Sequence, residues 1–201
     1  MRKFVALSTA AALSMALAAC GSKNDTANET NMADNMTTAN EVGANGAIIA
    51  NDMNATAAAP MTAQAFVDAA SGTDAYEIAA AKAAQGKASS ADVKSFAAQM
   101  IKDHTKSTAD LKAAAAKADG KPTPSGMMNA EQQANLTKLD GLSGADFDKE
   151  YVTQQVDAHQ KALDALKGYA AGGDSAPLKD FASKTATVVE HHLDMAQKLQ
   201  K

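Results

Sequence analysis

Four long segments of this chain repeat apolar or small side chains every third or fourth residue. That spacing confines the fold to helices packed along one face. The clearest segment runs from Ser89 to Lys117, with Val93, Phe96, Ala97, Met100, His104, Thr108 and Leu111 on one stripe. Before it, from about Thr62 to Gln85, come Phe66, Ala69, Ala70, Thr73, Glu77, Ala80, Ala81 and Ala84. After it, Val152, Val156, His159, Leu163, Leu166 and Ala170 lie between Ser143 and Gly172. Leu178, Phe181, Thr185, Val188, His192, Met195 and Leu199 complete the set from Asp174 onward. Alanine is the best helix former and a poor strand former. The chain is alanine-rich, has no Trp and is only 4% aromatic, and no stretch reads as a strand.

The breaks between segments set the topology. Gly86-Lys87-Ala88 and Gly172-Gly173 are short, so each joins antiparallel neighbours. Ser89 is placed to cap the second helix, with Asp92 in its first turn. Gly120 is placed as a C-terminal glycine, and Lys121-Pro122-Thr123-Pro124-Ser125-Gly126 is a loop. Asn129 to Leu139 reads as a short helix, with Asn129 and Gln132 in capping-box positions. Ser143 is placed to cap the next long helix. The last starts at Asp174 or Ser175, with Pro177 tolerated in its first turn. The expected fold is all-α: a ferritin-like antiparallel four-helix bundle with a short extra helix in the longer connection. That connection either crosses over or simply turns; the spacing does not choose between them.

The start of the chain reads as an address. Arg2 and Lys3 precede an apolar run from Phe4 to Leu17, then Leu17-Ala18-Ala19-Cys20-Gly21. The ending looks like a bacterial lipobox, which implies residues 1–19 as signal peptide and lipidation of Cys20. Gly21 after the cysteine implies sorting to the outer membrane in a Gram-negative host. Residues 20–60 are rich in Asn, Thr, Ala, Asp and Met without aromatics, a composition that cannot offset its own ordering entropy. They are expected to be a flexible tether to the membrane, with the bundle in 61–201. Cys20 is the only cysteine and Arg2 the only arginine, so a disulfide within the chain and a thiolate metal cluster are excluded. The formal net charge is −4 before the signal's two cations are removed. The mature chain expected after that removal is acidic and without guanidinium groups, which is unsuited to nucleic acid.

Each long segment carries an ionisable residue inside its stripe: Glu77, His104, His159 and His192. With a rise of about 1.5 Å per residue, Glu77 lies ~15 Å and His104 ~22 Å from the first turn. His159 lies ~24 Å and His192 ~25 Å from the start of its helix, all near the middle of a bundle ~45 Å long. Three imidazoles and a carboxylate suit Zn, Fe, Mn or Cu, and bundle cores host such sites. Gln155, Tyr151 and Asp148, at helical spacing before His159, are candidates to orient the ligands. Met100 and Met195 sit one turn from His104 and His192, where methionine is commonly core filler. His191 points off the stripe. Two readings stand at this point: a mononuclear transition-metal site, or a hydrogen-bonded Glu/His layer without metal in an envelope interaction module. No Ser-His-Asp order, phosphate loop or paired-carboxylate pattern points to catalysis.

Several segments resemble one family: FVDAA at Phe66, EIAAAKAA at Glu77, FAAQMIKDH at Phe96, LSGADFDKEYVTQQVDAHQ at Leu142 and HLDMAQKL at His192. They are similar to the bacterial domain-of-unknown-function family 4142, over Met61 to Lys201. The resemblance implies an exported ferritin-like helical domain and brings no established reaction. Di-iron carboxylate bundles use Glu-x-x-His on two helices. Here Ile101 and Val189 stand three residues before His104 and His192, which favours a mononuclear over a di-iron site.

Overall fold

The computed structural model describes residues 61–201; Cys20 and the expected signal and tether lie outside the described residues. Five helices form: α1 (Ala63–Lys87), α2 (Ala91–Ala115), α3 (Ala130–Asp140), α4 (Gly144–Gly172) and α5 (Ala176–Leu199). Among the described residues there is no strand, and no helix is long and apolar enough to cross a membrane.

The helix starts follow from their capping residues. The Thr62 hydroxyl accepts from Ala65 N, and Asn129 and Gln132 form the expected capping box. At α2 the cap is Ser90, which accepts from Val93 N, rather than Ser89. Ser89 is drawn elsewhere: its amide and hydroxyl, together with the amide of Ser90, donate to the Asp148 carboxylate. Ser143 and Ser175 hold the N-cap positions of α4 and α5 without a capping side-chain bond.

α1 packs on α2 and α4 on α5, as the short turns require; α2 also packs on α5, and α1 on α4. The hydrogen bonds fix the directions. The α1–α2 turn meets the start of α4 through Ser89 and Asp148, while the start of α1 meets the α4–α5 turn through Ala63 N and Asp174. The connection from α2 to α4 therefore crosses the full length of the bundle. It climbs along α1, from the Gln64–Thr123 pair at one end to Lys87 on the Asp140 carbonyl at the other. On this climb the Met127 carbonyl lies against Gly72, where a Cβ would come within 2.3 Å of it. The glycine inside α1 is what lets the crossover lie close.

The apolar interior falls into two clusters. One holds Phe66, Leu111, Leu163, Tyr169, Leu178 and Phe181, with Phe66 stacked on Tyr169 at 3.9 Å between ring centroids. The other holds Tyr76, Phe96, Met100, Leu139, Phe147 and Tyr151. The stripes of α2 and α4 face inward as their spacing predicts. α5 is rotated from expectation: Ala182, Ala186, Val189 and Leu193 are buried beside His192, while Val188 is exposed. Between the two apolar clusters lies a buried polar layer.

Candidate metal centre

The layer consists of Asp74, Glu77, His104, Gln155, His159 and His192, each at most 4% exposed. His104 comes from α2, His159 from α4 and His192 from α5. Their ring centroids are 5.9 Å (104–159), 5.6 Å (104–192) and 5.5 Å (159–192) apart. One ligand nitrogen from each lies within 4.8 Å of the other two. Three donors sharing one ion with bonds of about 2.1 Å lie about 3.4–3.6 Å apart, so the rings must draw together by about 1 Å to hold an ion in common.

Each ring is held by one nitrogen and leaves the other bare. His104 Nδ1–H donates to Asp74 Oδ1 at 2.8 Å, His159 Nδ1–H to the Gln155 carbonyl at 2.8 Å, and His192 Nε2–H to Asp103 Oδ2 at 2.9 Å. His104 Nε2, His159 Nε2 and His192 Nδ1 are buried with no partner. An unpaired buried polar atom costs about 1–3 kcal/mol. Three in one layer is a burden that a cation facing all three would relieve. Imidazoles fixed by a carboxylate or carbonyl behind them are the arrangement metal-ligating histidines adopt.

The electrostatics are mixed. Burial, reinforced by His104 and His192, pushes His159 down to about 3, so its ring is neutral and its lone pair free. Burial also lowers His192, against the opposing pull of Asp103. For His104, burial is outweighed by the Asp74 hydrogen bond and the nearby carboxylates, which hold it above the ordinary value. An ion at this centre must displace that proton, so binding weakens in acid.

The residues expected from the sequence divide as follows. The three histidines come together. Glu77 is buried in the same layer but is not in the group that converges. Its Oε2 accepts from Gln155 at 2.7 Å, and its unpartnered Oε1 lies 3.9 Å from His159 Nδ1, the nitrogen already engaged. Gln155 thus touches both Glu77 and His159. Tyr151 is buried against Phe147 and Phe96 with its hydroxyl unpartnered. Asp148 does not orient the histidines. It is taken up by the start of α2, eleven residues or about 16 Å along α4 from His159. Met100 lies in the apolar cluster with Phe96, and Met195 packs against it. His191 is exposed. Sequence reasoning missed Asp74 and Asp103, the carboxylates behind His104 and His192. The available signal was Asp74 one turn before Glu77 and Asp103 next to His104.

No curated protein matches the chain. A solved structure of CopM in the Cu(II)-bound form superposes with a TM-score of 0.60 at 18% sequence identity, covering 71% of this chain and 97% of that one. At that identity the likeness concerns the fold. The family model described as "Domain of unknown function (DUF4142)" matches residues 49–199. With that match spanning most of its length, together with the crossover bundle, the chain belongs to the DUF4142 family.

Proposed function

We propose that this protein binds a single first-row transition-metal ion through His104 Nε2, His159 Nε2 and His192 Nδ1, and serves the cell envelope in metal storage, buffering or stress protection. The observation that carries the reading is the set of three buried, unpartnered nitrogens, each backed by a hydrogen bond on the far side of its ring. A metal-free polar layer would be expected to pair these atoms with one another. All-imidazole donors suit copper and zinc, and divalent affinities peak at copper. CopM, which shares the fold, is a protein captured with Cu(II). The lipobox-like Leu17–Cys20 segment supports a bundle tethered by lipid on Cys20 to the outer membrane, facing the periplasm.

The test is a titration of untagged protein with Cu(II) and Zn(II), read by calorimetry and by metal analysis after desalting. One equivalent is expected to be retained. The triple variant His104→Gln, His159→Gln, His192→Gln is expected to keep its helical circular dichroism and lose that equivalent. Retention of the ion by the folded triple variant, or no retained ion in the parent, overturns the reading.

A further inference from the structure

Beyond the stretch that α3 covers, the seam between α1 and α4 is walled by alanines. Ala69 and Ala70 of α1 and Ala162 and Ala165 of α4 line a cavity of about 70 Å³. Ala69 and Ala165 are themselves exposed, so the cavity meets solvent at this seam. Its far end is closed by Phe66 and Phe181, and its polar end by Asp74, Glu77, His104 and His159. His192 does not line it. The cavity therefore lies on the His104–His159 side of the centre, and both of those rings have Nε2 unpartnered. Glu77 borders the same end with Oε1 buried and unpartnered.

A cavity of about 10–15 Å³ already holds one water, so this one has room for a larger guest, and apolar walls favour a neutral guest over a hydrated one. Three protein donors leave a further position free on an ion that takes four. We propose that the alanine-walled cavity receives a small neutral molecule of a few heavy atoms on the open side of the three-histidine centre. This rests on the metal reading for the guest's contact with an ion, but the cavity's capacity to take a guest does not.

Two arms separate the failures. In the first, metal-free protein is equilibrated with xenon and followed by xenon NMR and by diffraction from pressurised crystals. One xenon is expected between Ala70 and Ala162. Ala162→Leu, and Ala165→Leu at the more exposed wall, are expected to exclude it while leaving the thermal melt cooperative. In the second, protein loaded with one equivalent of Cu(I) is exposed to carbon monoxide and read by infrared spectroscopy. A single C–O stretching band is expected in the parent, and it should weaken at least tenfold in the leucine variants with the copper retained. Absence of xenon from the parent cavity overturns the proposal whatever the metal does. Xenon binding with copper retained but no carbon monoxide band overturns the placement beside the ion and leaves metal binding standing. Failure to retain copper removes the metal reading and the guest's contact with it together.

Discussion

Asp74 and Asp103 determine which nitrogen His104 and His192 present, as the Gln155 carbonyl does for His159. A carboxylate on His104 Nδ1 and another on His192 Nε2 fix the tautomers and turn the opposite nitrogens inward. Replacing Asp74 with Asn keeps an acceptor but removes the charge, so metal affinity should fall by about 10–100-fold. Competition with a chromophoric chelator measures this, and unchanged affinity would remove Asp74 from the account. Glu77 makes a second prediction, for metal-free protein. Burial raises its carboxyl from 4.5 to about 7, against the lowering pull of His104 and Gln155. Between those values the folded chain holds the proton and the unfolded chain does not. The contribution to stability is therefore complete below about pH 4.5 and lost as pH rises through about 7. Glu77→Gln, which stays neutral, should be more stable than the parent at pH 8 by on the order of 2–3 kcal/mol, with the gap shrinking toward pH 5. Urea denaturation at the two pH values checks the sign. At this scale the histidines were legible because each breaks an apolar stripe. Asp74 was not, because a carboxylate one position off the stripe looks solvated until its partner on another helix is known.

At the scale of elements, the spacing of apolar residues located the five helices, but it set one rotation wrongly, placing Val188 of α5 on the inward face. Val188 and Val189 are adjacent, and either continues a three-four repeat. The choice falls to packing against α2 and α4, and it buries Val189. The path of the α2–α4 connection was equally hidden, since loop length permits either route. The bonds of Asp148 to Ser89 and Ser90, and the approach of Met127 to Gly72, decide it. Gly72→Ala should therefore destabilise the fold by about 1–3 kcal/mol, because the Met127 carbonyl must move. An exposed interior helix glycine would instead gain from the same change. Asp148→Ala should cost about 1–2 kcal/mol by leaving the Ser89 and Ser90 amides without their acceptor and loosening the joint between the starts of α2 and α4, while leaving metal affinity as it was, since the residue sits at the bundle end. A urea midpoint for each variant decides both.

Taken as a whole, the bundle of residues 61–201 is two apolar clusters clamped around a polar layer that three helices supply with imidazoles and α1 with carboxylates. The crossover places α2 beside α5 and α1 beside α4, which brings His104, His159 and His192 onto one centre. The unpartnered atoms of the layer weaken the metal-free bundle, and on the proposed reading an ion recognised only by the folded form would offset that loss. Free metal at a hundred times its dissociation constant adds about 2.7 kcal/mol, which for a domain of this size raises the melting temperature by roughly 5–10 °C. The most direct measurement is anomalous diffraction at the absorption edge of the ion retained by untagged protein. The account predicts one peak within bonding distance of His104 Nε2, His159 Nε2 and His192 Nδ1. A peak elsewhere, or none at this centre in protein that carries one equivalent of metal, would contradict it.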